Sequence, residues 1–253
     1  MSAIGISSIT FACVSAATLL GFFLHHLLPR DHLSEGSKDT VKLGMGMVAT
    51  LAALVLGLMI AFATDSFNKM RSEVQHTAAR IVLLDRVLAH YGTEASEIRD
   101  LLRRSTATRI ETIWSEGGFS PSSLARDNSL TESEGLQDKL RQLSPRTDAQ
   151  RLLQSQALSL SGELAQTRWL LIAQSESPVP PLLLAVLVFW IAIIFLSFAL
   201  FAPRNATVLV TLLICALSVS GSIFLILELN RPFDGTIKIS SAPMRDALAR
   251  LGQ

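Results

Sequence analysis

Four long apolar runs, two near each end of the chain, enclose a polar middle region of roughly a hundred residues. The runs cover residues 7–28, 43–64, 181–202 and 206–227, and none of them contains an Asp, Glu, Lys or Arg. Each is about 20 residues long, enough for a helix to cross the roughly 30 Å hydrocarbon layer of a bilayer. Because a chain in lipid must satisfy every backbone N–H and C=O internally, the runs predict four membrane-spanning helices.

The first run differs from a cleaved signal peptide in its flanks. It has no basic residue before it, and no small-residue cleavage site before the polar sequence that begins at Pro29. We therefore expect it to be retained as the first span. Residues 29–42 then connect the first span to the second, and the turn at 203–205 connects the third span to the fourth, both on the side of the membrane opposite the termini.

The charges beside the spans predict the orientation. An even number of spans places both termini and the middle region on one side, where basic residues close to the spans outnumber those on the other side. We expect that side to be the cytoplasm. The basic residues are Lys69, Arg71, Arg80, Arg168, Arg231, Lys238 and Arg245 on that side, and Arg30, Lys38, Lys42 and Arg204 on the other.

The polar middle region has the pattern of helices. Neither Gly nor Pro occurs between residues 64 and 90, so the second span is expected to continue as one long helix. Apolar residues recur at helical spacing along this extension and predict a buried seam. Gly92 is the expected end of the helix. The seam residues are Val74, Ile81, Leu84, Leu88 and Tyr91.

Further helices are predicted beyond this seam: one from Thr93 to Gly117, and two around residues 132–143 and 145–174. A loop-like stretch at 117–131 separates the first of these helices from the second. A short helix is expected after Ser241. The apolar stripes can pack as a bundle within one chain or against neighbouring subunits, and the sequence leaves both open.

The predicted fold class is all-α: four transmembrane helices, with a helical cytoplasmic bundle inserted between spans 2 and 3. The predicted division is a transmembrane hairpin at 1–64, a cytoplasmic helical region at 65–178, a second hairpin at 179–229 and a cytoplasmic tail at 230–253.

Composition excludes several function classes. The formal net charge is +1, so no global field would recruit nucleic acid. Cys13 and Cys215 both fall in predicted spans, where we expect them as small core residues without a disulfide framework. The spans carry no Asp, Glu, Lys or Arg, and His25 and His26 lie at the edge of the first span. This pattern disfavours coupled transporters and intramembrane enzymes. No hydrolase, phosphate-loop or metal motif occurs, so we expect neither an enzyme, nor a cofactor, nor a metal site.

The second span carries a face of small and polar side chains spaced three or four residues apart. Such a face allows close helix packing in lipid, or it lines a pore whose cytoplasmic mouth is basic. The candidate pore-lining residues are Gly46, Thr50, Ala53, Gly57, Ala61, Thr64, Asn68 and Arg71.

The segment that leaves the fourth span is a second candidate site. Glu228 and Arg231 are three residues apart and are expected to pair as the helix leaves the membrane. Pro232 and Gly235 turn the chain afterwards. A docking tail and a gating element are both open interpretations. The residues of this membrane-exit segment are Glu228, Arg231, Pro232, Phe233, Asp234 and Gly235.

These same segments resemble a bacterial family of membrane proteins of unknown function that is called bestrophin-like. The resemblance rests on residues 46–51 through Gly57 to 66–67, on the helix at 73–86 and, most specifically, on the exit sequence 228–235. It extends over nearly the whole chain and implies a four-span protein of the bacterial inner membrane.

A looser similarity connects the chain with bestrophins, which are pentameric anion channels whose second span lines the pore. The order of spans and the small-residue second helix are similar. The chain departs from bestrophins in lacking an acidic cluster for calcium, and Phe62 is the one aromatic residue of its second span. Calcium gating is therefore not expected.

The function predicted from the sequence is a homo-oligomeric passive ion channel, for anions by this resemblance, with the second spans around the pore. The subunit number, five, comes from the resemblance alone. The expected partners are the lipid bilayer, further copies of the chain and a small inorganic ion. The alternative is a non-conducting membrane scaffold or signalling protein that acts through its cytoplasmic helices.

Overall fold

The computed structural model describes residues 2–27, 35–114, 129–175, 180–203 and 205–253, and every regular element within them is a helix. The predicted all-α fold class is confirmed. A one-turn 3-10 helix, Thr93–Ala95, separates α2 from α3. The α-helices are α1 (Ala3–Leu27), α2 (Glu35–Tyr91), α3 (Ser96–Ile113), α4 (Ser129–Gln142), α5 (Asp148–Ser175), α6 (Pro181–Phe201), α7 (Ala206–Leu229) and α8 (Ala242–Arg250).

Helix α2 is continuous over 57 residues, which corresponds to about 85 Å at 1.5 Å per residue. It ends as predicted at Gly92, whose φ of 126° is accessible to glycine and strained for other residues. Its start differs from the prediction, because residues 35–42 are helical and not part of a loop. An ion pair between Asp39 and Lys42, three residues apart, supports this first part of the helix.

Contacts divide the chain into two compact units. The membrane unit comprises Met1–Ser66 and Pro178–Asn230, and the helical unit comprises Phe67–Ser177 and Arg231–Gln253. Helices α1, α2, α6 and α7 each contain a stretch that is long and apolar enough to cross a membrane. Helix α2 therefore contributes its apolar half to the membrane unit and its polar half to the helical unit.

The core of the membrane unit forms where α1 packs against α6 and α7. Val14, Leu187 and Ile226 are fully or almost fully buried in it. Gly21 brings α1 against the backbone of α6, since a Cβ atom at this position would lie 2.4 Å from the Leu196 carbonyl oxygen. Four residues later, the Nδ1 atom of His25 lies 2.7 Å from the Leu200 carbonyl oxygen, in the last turn of α6.

The core of the helical unit contains all five residues of the predicted seam, from Val74 to Tyr91. The seam of α2 thus packs within its own chain. Helix α4 adds Leu136 and Leu140 to this core, and α5 adds Ala157 and Leu160 among others. Met244 of α8 and Leu251, directly after that helix, reach the same core, as their apolar spacing predicts.

The expected burial of the two cysteines is wrong, and most of one predicted loop lies outside the described residues. Cys13 and Cys215 are exposed on the membrane unit and are not core residues, because the span faces that carry them point away from the neighbouring helices of this chain. Of the loop predicted at 117–131, residues 117–128 lie outside the described part, and residues 129–131 already belong to α4.

Candidate pore-lining face and membrane-exit segment

The small-residue face of α2 lies on the outside of the chain. All eight of its predicted members are exposed, six of them in the membrane unit, with Asn68 and Arg71 in the helical unit. A Cβ atom added at Gly46 or Gly57 would meet no atom within 4 Å. The face is therefore not a packing surface for the other helices of the same chain.

A second exposed face, with bulky apolar side chains, lies about 100° around the same helix. It is not among the predicted site residues, although its spacing of three and four residues is visible in the sequence. Its exposed fractions run from 51% at Leu51 to 76% at Leu43. The residues of this bulky face are Leu43, Met47, Leu51, Leu54, Leu58 and Phe62.

A third, narrow face anchors α2 to the membrane unit through Met45, Ala52, Met59 and Ala63, which are buried in its core. Only 11% of the most apolar window of α2 is buried, against 22% for α1, 33% for α6 and 22% for α7. Of the four spans, α2 thus has the most surface left for lipid, water or other copies of the chain.

The hydroxyl of Thr50, on the small-residue face, donates a hydrogen bond to the Gly46 carbonyl oxygen at 2.9 Å. The same bond to the preceding turn is made by Thr18 in α1, to Val14, and by Thr211 in α7, to Thr207. A hydroxyl that donates a hydrogen bond to its own helix backbone adds little to the free energy of placing that helix in a membrane.

The membrane-exit segment is a hydrogen-bonded turn. The backbone N–H and the side-chain amide of Asn230 both donate to the Ile226 carbonyl oxygen, at 3.2 and 2.8 Å, and close the end of α7. The N–H groups of Asp234 and Gly235 then donate to the Arg231 carbonyl oxygen. Pro232 and Gly235 thus lie in the turn that the sequence predicts, whereas the pairing of Glu228 with Arg231 stays a prediction. Glu228 itself is buried.

Phe233 anchors this segment in the helical unit. It is buried, and its ring meets Trp114 edge-on, with centroids 5.6 Å apart. The indole N–H of Trp114 donates to the Ile239 carbonyl oxygen at 2.8 Å, and the Ile239 N–H donates to the Pro232 carbonyl oxygen at 2.8 Å. The segment after α7 is therefore fixed to the end of α3 by an aromatic pair and one hydrogen bond, and the second hydrogen bond closes the segment on itself.

A buried ion pair that the sequence analysis missed connects α2 with α3. Asp85 is 1% exposed and accepts hydrogen bonds from Arg99 Nε and Nη2. These bonds raise the pKa of Arg99 above its usual value. The signal was weak: Asp85 directly follows the seam residue Leu84, but its partner lies on another helix.

Two further groups of the helical unit have shifted pKa values. Burial raises the pKa of Tyr91, and the charge of Glu94 adds to this. A hydrogen bond from Lys139, together with its positive charge, lowers the pKa of Glu97 and joins α3 to α4. Within the described part of the chain, no three His, Cys, Asp or Glu side chains form a group that could hold a metal ion.

Comparisons with known proteins agree with this architecture. A family model described as Bestrophin-like domain matches residues 12–244. Among curated proteins, none matches the chain. Crystal structures of two mutant forms of a bacterial bestrophin homologue from Klebsiella pneumoniae are similar, both at 12% sequence identity. The first has a TM-score of 0.70 and covers 97% of this chain and 98% of that chain. The second has a TM-score of 0.71 and covers 100% and 99%.

Proposed function

The chain belongs to the bestrophin-like family, and from this premise we propose that it is a homo-oligomeric, passive ion channel lined by the second helix of each copy. The eight residues of the small-residue face line the pore, with Asn68 and Arg71 at its cytoplasmic mouth. The protein resides in the bacterial inner membrane, with both termini and residues 65–178 in the cytoplasm. The resemblance to bestrophins favours anions as the conducted ions.

One observation carries this proposal: the small-residue face is exposed along the whole apolar half of α2, and Gly46 and Gly57 have no neighbouring atoms. If it served close packing within the chain, other helices of the chain would cover it. Its occupant is therefore water, lipid or another copy. A ring of copies around an axis covers the flanks of such a face and leaves its centre open to water.

The exposed bulky face allows the same ring a second register, in which each α2 is rotated about its own axis. The small-residue face then mediates contact between neighbouring copies, and Leu54, Leu58 and Phe62 point to the axis as an apolar constriction. Both registers make the protein a channel. They differ in which side chains an ion or a water-soluble reagent meets.

The subunit number is the first test. Native mass spectrometry of the full-length protein in mild detergent is expected to give a closed ring of four or more copies, which leaves room for an axial pore. A monomer or dimer would contradict the channel and favour the non-conducting scaffold.

One feature of the structure favours the scaffold as a second candidate function. It is a groove of about 430 Å³ between α2 and α8, beside the exposed Leu83.

Ion flux into vesicles tests the pore directly. Gly57→Asp places a carboxylate on the small-residue face and is expected to change conductance or ion selectivity. Gly221→Asp is the matched control, because this glycine of α7 is also exposed, with no atom within 4 Å of an added Cβ. A Gly57→Asp protein that assembles normally and conducts as the parent does would contradict the pore assignment.

Cysteine labelling distinguishes the two registers. Cys13 and Cys215 are exposed and are first replaced by Ser. In the resulting protein, Gly57→Cys and Leu58→Cys are compared during treatment with a charged, membrane-impermeant thiol reagent. Block of flux at position 57 alone supports the small-residue face as the pore lining. Block at position 58 alone assigns the pore to the bulky face.

A further inference from the structure

A pocket of about 340 Å³ opens in the membrane unit, where the beginning of α2 meets the end of α6 and the beginning of α7. Its volume falls in the range of small-molecule sites. Its lining is almost wholly apolar, with Met45, Phe198, Phe201 and Leu212 among its walls. Lys42 contributes the one ionisable side chain among the residues that line it.

The position of the pocket along the helices sets its depth in a bilayer. Lys42 immediately precedes the apolar run 43–64, and Ala202 ends the run 181–202. The apolar walls therefore lie within the hydrocarbon layer, and the ammonium group lies at its boundary with the headgroups. A phospholipid matches this arrangement, because its acyl chain lies in the hydrocarbon layer and its phosphate lies at the boundary.

The charge at the rim is available to a ligand. The side chain of Lys42 is 63% exposed, and the carboxylate of Asp39, with which it pairs, lies 3.8 Å away and is 76% exposed. Such an exposed pair at this distance is weak, so an anion can compete for the lysine. In contrast, an uncharged apolar ligand would leave the lysine with only its weak pair to Asp39.

We propose that this pocket binds one acyl chain of an anionic phospholipid whose phosphate pairs with Lys42. The site uses neither the small-residue face nor the bulky face of α2, so it stands independently of ion conduction. Phe198 is 49% exposed and forms the side of the pocket through which the acyl chain enters from the surrounding lipid.

Fluorescence quenching in vesicles tests the site with the full-length protein. Phe201→Trp places a reporter in the pocket wall, and the signal of the native tryptophans is subtracted with the parent protein. The vesicles contain phosphatidylcholine with a variable fraction of phosphatidylglycerol, and one of the two lipids carries brominated acyl chains that quench a nearby indole. We expect phosphatidylglycerol to occupy the pocket with about fivefold higher affinity than phosphatidylcholine.

Two charge variants complete the test. Lys42→Ala is expected to bring the affinity ratio close to one. Lys238→Ala, which removes an exposed lysine of the helical unit, is expected to leave the ratio unchanged. Circular dichroism and the assembly state verify folding, and Leu212→Trp serves as the reporter if Phe201→Trp does not fold.

Three outcomes would overturn the proposal. The first is a ratio near one while Lys42 is present. The second is a preference that survives Lys42→Ala. The third is a reporter that neither lipid quenches, which would mean that a second copy of the chain covers the pocket.

Discussion

Asp85 and Arg99 form a two-pronged ion pair: Arg99 Nε lies 2.7 Å from Oδ1 of the carboxylate, and Nη2 lies 3.0 Å from Oδ2. The carboxylate is almost fully buried, whereas the arginine side chain is 23% exposed. The N–H of Gly252 also donates to Oδ2, at 3.4 Å. One buried charge thus joins α2, α3 and the end of the chain.

Removal of the arginine is expected to be costly, because the carboxylate would stay buried without its charged partner. We expect Arg99→Met to lower the free energy of unfolding of the helical unit by roughly 3 kcal/mol, measured by chemical denaturation of the full-length protein. Arg141→Met is the control, since its pair with Asp138 is exposed on both sides and contributes less than about 1 kcal/mol. The double variant Asp85→Leu/Arg99→Met is expected to recover much of the loss. Equal effects of Arg99→Met and Arg141→Met would contradict this role.

Gly21 is expected to tolerate no side chain. The Cβ atom of an alanine would lie 2.4 Å from the Leu196 carbonyl oxygen and 2.8 Å from the Ala199 Cβ, and neither helix backbone can yield cheaply. We expect Gly21→Ala to destabilise the membrane unit by roughly 1–3 kcal/mol, measured as a lower midpoint of thermal unfolding in detergent. Gly44→Ala meets no atom within 4 Å and is expected to be neutral or slightly stabilising. A Gly21→Ala protein as stable as Gly44→Ala would show that α1 and α6 are not this close.

The aromatic pair after α7 is expected to stabilise the helical unit in two separable ways. Phe233→Ala removes a buried ring and should cost roughly 3 kcal/mol. Trp114→Phe keeps an aromatic ring but loses the hydrogen bond to Ile239, which should cost about 1 kcal/mol. Trp169→Phe, at a position 57% exposed, is the control and should have little effect. Chemical denaturation measures all three, and a Phe233→Ala protein of unchanged stability would refute the anchoring role.

Tyr91 is expected to make the helical unit sensitive to alkaline pH. Burial raises its pKa above the usual value of 10.0, so the folded state favours the neutral phenol. This contribution is fully present below the pKa of the unfolded state, and it is lost as the pH rises through the folded pKa. The chain contains one tyrosine, so the ultraviolet absorbance of the phenolate reports this group alone. Titration at the same pH in folded and denatured protein would contradict the expectation.

A Tyr91→Phe variant tests the same group at neutral pH. The phenolic oxygen is buried and has no hydrogen-bond partner among the described residues. Its removal is expected to stabilise the helical unit by about 1 kcal/mol and to reduce the loss of stability above pH 10. A destabilised Tyr91→Phe protein would indicate that the hydroxyl has a partner after all.

Periodic patterns were sufficient to predict the helices, because local spacing determines which face of a helix is apolar. The continuity of α2 followed from the absence of Gly and Pro between residues 64 and 90, and the seam from Val74 to Tyr91 is buried as expected. What the pattern left open was the partner of that seam. The choice between the same chain and a neighbour depends on three-dimensional packing, which helical spacing does not encode.

Contacts between distant positions could not be predicted for the same reason. His25 contacts a carbonyl group 175 residues further along the chain, and Asp85 finds Arg99 on the next long helix. A charged residue beside a seam is usually solvated, so Asp85 gave no sign of burial. The small-residue face was visible in the sequence, whereas its exposure along α2 required the positions of α1, α6 and α7. Its role as a pore lining stays a prediction.

The hydrogen bond from Thr50 to Gly46 has a consequence for ion preference. The hydroxyl proton is directed to the helix backbone, so the oxygen presents its lone pairs outward. A ring of such oxygens around a pore replaces the hydration of a cation and has no proton to offer an anion. In the proposed pore, this hydroxyl would therefore not favour anions, and a preference for anions would require positive charge such as that of the exposed Arg71.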